Sequence, residues 1–218
     1  MMMQYENLTA RHGVGHLQNH PIVASGDDAP ETPLVFAAVL FADIKGFTRF
    51  CQLVDPQTAF RMLSTFHERM AEVVADHSAT LTAATGDEVM AAWCGTPSRV
   101  AAKALRCGYA MLETVSEFNQ NEAFLAFDLK IGVGIHAGSV ILGRIPGSAN
   151  LSVYGDTVNI ASRLEQMTRG YDTDLIVSEE LLQKAALLPQ AIETERLRTA
   201  ITTTLRDRKG SIKIRVAE

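Results

Sequence analysis

The stretch 34-LVFAAVLFAD-43 decides the fold, because it sets an unbroken apolar run directly before a carboxylate. An apolar run of this length is typical of a buried strand. It is far too short to span a bilayer, which takes about 20 apolar residues in a helix. The pattern therefore predicts a strand over 34–43 that ends on Asp43.

The chain beyond this strand alternates between helical and strand-like patterns. Apolar residues at helical spacing predict helices over 56–76 and 98–118, and short apolar runs predict strands over 80–84 and 88–94. The later elements are predicted at 127–145 (strand), 151–154 (strand), 157–168 (helix), 174–178 (strand), 181–186 (helix) and 211–216, the last as one of two terminal strands. This order, β-α-β-β-α-β with a tail, predicts an α+β sheet covered by helices on one face.

Composition excludes several classes of protein. An apolar fraction of 47% and a charged fraction of 21% are those of a globular protein, and a net charge of -5 argues against nucleic-acid binding as the main activity. The three cysteines form no CxxC pair, which suits a reducing compartment. Residues 1–32 lack a sustained period and predict a flexible arm with no signal-peptide core. We expect a soluble, cytoplasmic protein with no membrane segment.

The second informative stretch is 85-TGDEVMAAW-93. Gly86 and Asp87 between two short strands predict a hairpin turn, and that structural interpretation alone accounts for both residues. Asp43 alone is likewise explained by pairing with backbone donors at a turn. If the strand over 34–43 lies beside the hairpin, however, Asp43 and Asp87 converge. Two carboxylates repel unless a cation lies between them, so this arrangement predicts a divalent metal site, Mg²⁺ above all.

The third stretch is 155-GDTVNIASRLE-165. Asp156 stands where a helix N-cap belongs, with the helix running from about Thr157. Asn159 and Arg163 are four residues apart and so share one face of this helix. Arg163 alone is typical of a solvated surface arginine. Asn159 is a poor helix former, which favours a role for its amide as a donor.

Together these stretches resemble the catalytic domain of class III nucleotidyl cyclases, the adenylyl and guanylyl cyclase homology domain. The patterns FxDIxGFT, xxxGDxxMAxW and GDTVNxASRxE occur in the family's order, and 132-GVGIHAGSV-140 is similar to its central strand. The resemblance covers about residues 34–216 and implies one catalytic domain over 33–218. The implied fold is α+β, a ferredoxin-like βαββαβ core with additional C-terminal strands and helices.

The resemblance also implies a head-to-tail homodimer with active sites between the subunits. Asp43, Ile44 and Asp87 of one subunit would hold two Mg²⁺ or Mn²⁺ ions, and Asn159 and Arg163 of the other subunit would complete the site. The residues expected against the substrate triphosphate are Lys45, Gly46, Phe47 and Thr48, through their backbone, and Lys209, with Lys213 as a possible substitute.

The reaction implied is attack of the ribose 3′-oxygen on the α-phosphorus of a nucleoside triphosphate, giving the 3′,5′-cyclic monophosphate and pyrophosphate. The family's two base-reading positions are Ala83 and Ser152 here. Alanine offers no hydrogen bond, and a serine hydroxyl donates or accepts, so neither discriminates strongly between bases.

We expect ATP as the substrate, with GTP or a pyrimidine triphosphate (CTP or UTP) as alternatives. Two other functions stay open, a nucleotide-binding regulatory domain without turnover and a different two-metal phosphoryl-transfer enzyme. His136, in the long strand, is expected to be structural, because a histidine in a buried strand is more often a satisfied core residue than a ligand.

Overall fold

The computed structural model describes most of the chain from Leu34 onwards. The described residues are 34–121, 128–144, 150–188, 195–197, 199–205, 208 and 210–217. The arm predicted over 1–32 and Lys209 lie outside them. None of the helices within these ranges combines the length and the hydropathy that a membrane-spanning helix needs.

Eight strands and five helices form in the described part of the chain. Their order is β1 (Leu34–Ile44), α1 (Phe47–Leu53), α2 (Pro56–Asp76), β2 (Leu81–Thr85), β3 (Glu88–Cys94), α3 (Pro97–Asn121), β4 (Ile131–Arg144), β5 (Leu151–Tyr154), α4 (Asp156–Met167), β6 (Leu175–Ser178), α5 (Glu179–Ala185), β7 (Thr199–Thr204) and β8 (Ser211–Val216). The long strand begins at Ile131, later than predicted. Helix α1 was not expected, because its seven residues are too few to show a helical period.

The strands form one mixed sheet in the order β2-β3-β1-β4-β6-β8-β7, and β5 pairs with the end of β4. Strand β1 lies between β3 and β4 and runs antiparallel to both. Strands β1 to β4 with α2 and α3 make the predicted ferredoxin-like βαββαβ core, and the later strands extend the sheet beyond β4. The α+β fold class is therefore confirmed.

Helices α2 and α3 cover one face of the sheet. Alternate residues of β1, including Leu40, point to this face and pack with Phe66 and Met70 of α2 and Leu105 of α3. These four side chains are almost fully buried. Burying a side chain of this size contributes about 1.5–3 kcal/mol, so this face supplies most of the apolar packing of the core.

Helix α4 packs on the opposite face, so the prediction that helices cover one face only is wrong. The physical reason is space, because α2 and α3 already fill their side and α4 needs another surface for its apolar stripe. That surface is β4, where glycines let the helix approach. A Cβ at Gly134 would lie 2.1 Å from the backbone nitrogen of Glu165 and 2.5 Å from the carbonyl oxygen of Ala161. No side chain fits between these backbones.

The start of α4 also differs from the prediction. Its N-cap is Gly155, with φ of 141°, and Asp156 is the first helical residue, with no capping hydrogen bond from a side chain. Glycine takes the N-cap because this backbone conformation is open to few other residues. The Asp156 carboxylate instead accepts a hydrogen bond from Arg208 Nε at 2.9 Å.

Candidate active site

Asp43 and Asp87 meet at one end of the central strands. Strand β3 lies against β1 with Val89 opposite Ala42, so the residue that follows Ala42 lies close to the hairpin tip before β3. The tip is a two-residue loop between the paired residues Thr85 and Glu88, as expected. Its first residue, Gly86, has φ of 61°, a conformation that favours glycine.

The pKa of Asp87 is raised by burial and, in part, because the Asp43 carboxylate lies close to it. Partial burial, then a hydrogen bond with Asp43 and the charge of Asp43, raise the pKa of Asp87 to about 6, while Arg169 acts in the opposite direction. Burial and the charge of Asp43 also raise the pKa of the neighbouring Glu88. The structure thus concentrates negative charge at this point, and the charge favours a cation.

Arg169, just beyond the end of α4, lies against the pair. Its Nη2 donates to Asp43 Oδ2 at 2.5 Å and its Nη1 donates to Glu165 Oε1 at 2.7 Å. Glu165 is only 2% exposed and lies on the inner face of α4. Burial raises the pKa of Glu165 to about 7 despite the opposing effect of Arg169.

The donor set at this point fits a magnesium or manganese site. Asp43 and Asp87 offer carboxylate oxygens, the ligands that hard divalent cations prefer. Within the described ranges no group of three or more acidic, histidine or cysteine side chains is arranged to enclose a metal ion. Two carboxylates without a closed cage suit Mg²⁺ in particular, since this ion commonly takes its remaining ligands from water and substrate phosphates.

The turn after β1, over residues 44–48, is held in place by two apolar side chains, those of Ile44 and Phe47. The Ile44 side chain is buried in the α2 and α3 core, so only its backbone carbonyl can face a metal. Gly46, with φ of 77°, is the N-cap of α1, and Phe47 and Thr48 form its first turn. Phe47 packs against the core, while Thr48 is exposed. The first-turn N–H groups of a helix lack intrahelical partners, so those of α1 are suited to donate to phosphate oxygens.

The Lys45 side chain is engaged elsewhere in the protein. Its Nζ donates to the carbonyl oxygen of Thr173 at 2.8 Å and to Asp174 Oδ1 at 2.6 Å. These contacts tie the turn after β1 to the segment that leads into β6. Its backbone N–H also donates within the fold, to the carbonyl oxygen of Lys130 at 2.8 Å, so Lys45 positions the turn through both groups.

Asn159 and Arg163 lie on a different side of α4 from Glu165. With about 100° between successive helical residues, Arg163 lies about 160° and Asn159 about 120° around the helix from Glu165. Asn159 is exposed and Arg163 is half-buried. The two therefore share a face, as predicted, and this face is not the one that carries Glu165, whose partner Arg169 contacts Asp43.

The base-reading positions belong to strands that pack on one apolar cluster. Leu81 of β2 and Leu151 and Val153 of β5 contribute to it, on the α4 face of the sheet. Ala83, on the same face of β2 as Leu81, is exposed, and Ser152, between the two β5 residues, is half-buried. The cluster brings β2 and β5 into the same region of the subunit.

The C-terminal basic segment reaches the start of α4 through Arg208, which pairs with Asp156. Lys209, the residue predicted to contact phosphate, lies outside the described residues. Its possible substitute, Lys213, is exposed on β8, whose buried residues Ile212 and Ile214 pack with α4. Because side chains alternate along a strand, Lys213 lies on the other face of the sheet from α4.

A comparison with families of known proteins identifies the family of this chain. The model described as "Adenylate and Guanylate cyclase catalytic domain" matches residues 32–203. The chain belongs to this family. The resemblance inferred from the three motifs is therefore confirmed.

Relatives of this cyclase domain include Adenylate cyclase 1 of Rhizobium meliloti (strain 1021), 34% identical over 144 residues, which cover 64% of this chain and 22% of the relative. The germination-specific adenylate cyclase of Dictyostelium discoideum is 34% identical over 166 residues, or 73% of this chain and 19% of the relative. The cyclase domain thus spans less than a third of the length of these curated relatives.

Solved structures show the same fold. The guanylyl cyclase Cya2 superposes with a TM-score of 0.73 at 25% identity, covering 85% of this chain and 93% of that chain. The adenylyl cyclase CyaB from P. aeruginosa gives a TM-score of 0.71 at 20% identity, covering 87% and 96%. The cyclase fold predicted from the motifs is confirmed by both.

Sequence reasoning missed the ion pair between Glu165 and Arg169 beside Asp43. Their spacing of four residues near the end of a helix was a usable signal, since oppositely charged residues at that spacing pair on a helix surface. The contact of Arg169 with Asp43, 126 residues away in the chain, was also missed.

The expected structural role of His136 agrees with its burial and with a 2.8 Å contact between its Nδ1 and Ser178 Oγ. Burial lowers the pKa of His136 to about 4.

Proposed function

We propose that this domain is a nucleotide cyclase that converts ATP to 3′,5′-cyclic AMP and pyrophosphate at the interface of a head-to-tail homodimer. The observation that carries the proposal is the convergence of Asp43 and Asp87 beside the turn over 44–48. This convergence supports a divalent cation site close to the first-turn amides of α1, an arrangement that suits a triphosphate substrate.

Each group at this site has a defined task. Asp43, Asp87 and the carbonyl of Ile44 would hold two Mg²⁺ or Mn²⁺ ions, which when bound lower the pKa of the ribose 3′-hydroxyl and neutralise phosphate charge. The amides after Lys45 orient the triphosphate so that the α-phosphorus faces the ribose. Lys209 would add a cation for the β- and γ-phosphates. Positioning and charge stabilisation account for most of phosphoryl-transfer catalysis, so this division of tasks is sufficient.

The direction of Asn159 and Arg163 supports a site built from two subunits. On their own subunit they lie on the side of α4 away from Glu165, whose partner Arg169 contacts Asp43. In a head-to-tail dimer they would instead face the metal carboxylates of the partner. Arg163 would stabilise charge that develops on the α-phosphoryl group, and Asn159 would orient the ribose. A preorganised donor of this kind is worth about 10²–10³ in rate.

Adenine is proposed as the base because curated relatives that match the chain, such as those of Rhizobium meliloti and Dictyostelium discoideum, are adenylate cyclases. The base-reading positions add little selectivity. Ala83 carries no hydrogen-bonding group, and a pocket discriminates strongly only where a wrong base leaves buried polar groups unpaired. We therefore propose ATP turnover with measurable turnover of other nucleoside triphosphates.

A complementation experiment tests the shared site. Asp43→Ala and Asn159→Ala should each lower the cyclase rate at least about 100-fold. Mixing the two proteins should restore activity, because one of the two sites in a heterodimer then carries both wild-type residues. Absence of recovery, with heterodimers shown by differential tagging, would contradict the two-subunit site.

The substrate is tested by incubation with ATP, GTP, CTP or UTP and Mn²⁺, with the products identified by mass spectrometry. Cyclic AMP should be the main product, accompanied by smaller amounts of other cyclic nucleotides. A dominant cyclic GMP or cyclic pyrimidine product would overturn the choice of base. Binding of ATP without any cyclic product would favour a regulatory nucleotide-binding domain instead.

A further inference from the structure

Arg169 is the cation that the structure places beside the carboxylate pair. Its guanidinium joins two acidic groups from different elements, Asp43 at the end of β1 and Glu165 on the inner face of α4. The Asp43 side chain is 22% exposed and the Arg169 side chain 40% exposed, so both charged groups of this pair are partly accessible to solvent. A divalent ion held by Asp43 would have to share this carboxylate with the guanidinium.

The geometry of the guanidinium allows such sharing. Nη1 is committed to Glu165 and Nη2 to Asp43, so the two contacts can break separately. Glu165 is buried and packed at the β4 glycines, which makes it a fixed anchor. An arginine keeps its charge at any physiological pH and presents its donors in a rigid plane, which suits it to hold one carboxylate while releasing another.

We propose that Arg169 is a positioning residue that neutralises Asp43 when no metal is bound and competes with the divalent cation for it. Arg169 thereby lowers the metal affinity of the site, and Glu165 retains the guanidinium nearby after the cation has displaced it from Asp43. The inference rests on the proposed function, because it takes Asp43 and Asp87 as metal ligands.

The test is direct titration of the full chain with Mn²⁺ in the absence of nucleotide, with free Mn²⁺ measured by electron paramagnetic resonance. Arg169→Met keeps the length of the side chain and removes its charge. It should tighten Mn²⁺ binding at least about fivefold, because it removes a positive charge from a partly screened site. Arg169→Lys keeps a charge and should bind Mn²⁺ within about twofold of wild type.

A matched control is Arg215→Met. Arg215 also pairs with a glutamate, Glu179, at 2.8 Å, and its side chain is similarly half-buried. It lies on β8 beside α5, so its loss should leave Mn²⁺ affinity unchanged. Unchanged or weaker Mn²⁺ binding in Arg169→Met would overturn the proposed competition, as would tightening of equal size in the control.

Two further variants distinguish a failure of this inference from a failure of the proposed metal site. Asp43→Asn should remove most Mn²⁺ uptake; if it has no effect, the metal site of the proposed function is itself wrong. If Arg169→Met does not fold, Glu165→Gln tests the competition from the other side. This variant removes the charge of the second carboxylate that Arg169 contacts, so Arg169 pairs more strongly with Asp43. Mn²⁺ binding should therefore weaken at least about twofold. Unchanged affinity in Glu165→Gln would overturn the inference while the metal site stands.

Discussion

The two faces of the central sheet are closed by different kinds of contact. On the face of α2 and α3, helices rest on a layer of apolar side chains such as Phe66 and Leu105. On the other face, α4 lies so close to β4 that its backbone fills the space a Cβ at Gly134 would need. Side chains can shift to absorb a change, whereas two backbones in contact cannot.

The two faces therefore contribute differently: one mainly stabilises the fold, and the other mainly positions residues of the candidate site. The side-chain layer buries apolar area and holds the sheet together. The glycine contact fixes the distance from α4 to the sheet, and so it fixes where Glu165 and Arg169 lie relative to Asp43. The groups proposed to act on substrate therefore depend on the closer of the two faces.

The largest effect on stability, and the strongest test of the difference between the two faces, is expected from Gly134→Ala. The new Cβ meets backbone atoms of Glu165 and Ala161, so α4 must move, and we expect a loss of at least about 3 kcal/mol in the free energy of unfolding. The measurement is urea denaturation of the purified protein.

The matched control on the other face is Gly108→Ala. Here the nearest atom is the end of a side chain, Ile135 Cδ1, 2.8 Å from the new Cβ. Ile135 can shift, and alanine favours a helix over glycine by about 1 kcal/mol, so the net change should stay within about 1 kcal/mol. Equal losses in the two variants would show that the faces do not differ in this way.

A smaller effect is expected from Asp87→Asn, measured without metal. Because the folded-state pKa of Asp87 is raised to about 6 from 3.8, the folded state holds its proton more tightly. This group therefore costs stability as pH rises from about 4 to about 6. Asn carries no charge, so the variant should be more stable than wild type by about 1 kcal/mol at pH 7, after allowance for screening of a half-exposed group.

The control for this change is Asp128→Asn, at an exposed position before β4. As a substitution at an exposed surface position, it should change the free energy of unfolding at pH 7 by less than about 0.5 kcal/mol. Asp87→Asn should also abolish cyclase activity while raising stability, which is the opposite of what a core substitution does. A destabilised Asp87→Asn protein at pH 7 would show that burial and the charge of Asp43 do not disfavour the ionised Asp87 carboxylate.

The smallest effect is expected from Lys45→Met. The ion pair with Asp174 is half-exposed, so its loss should cost less than about 1 kcal/mol of stability. The turn over 44–48 should loosen, and the KM for the nucleotide should rise about threefold with little change in kcat. Asp174→Asn should have a similar effect, and the double variant should add little to it.

This double-mutant cycle distinguishes two roles of Lys45. If its ammonium group contacts the triphosphate directly, Lys45→Met will raise KM far more than Asp174→Asn does. If it anchors the turn through Asp174, the two single variants will raise KM by similar amounts.

Much of the fold could be predicted because its signals are local. Apolar periods located the long helices and most strands, and turn residues located the hairpin at Gly86. Helix α1 was missed because it is shorter than two helical turns. The N-cap of α4 was placed at Asp156 rather than Gly155, since side-chain preference favours aspartate and the backbone conformation that decides the position is not visible in sequence.

The site was predictable only in part. Asp43 and Asp87 were linked because each follows a recognisable strand end, and strand pairing then brings them together. Arg169 follows no such pattern, since its contact with Asp43 depends on which face of the sheet α4 takes. The face was predicted wrongly, because a helical period reports that a helix has an apolar side and not which surface receives it.

By itself, the sequence determined the family, the order of strands and helices and the two carboxylates, because motifs and periods are properties of neighbouring residues. Tertiary structure alone decided the packing of α4 on the glycine face, the engagement of Lys45 with Asp174, and the position of Arg169 between Asp43 and Glu165. These depend on contacts between residues far apart in the chain, which form only when backbones and side chains compete for the same space.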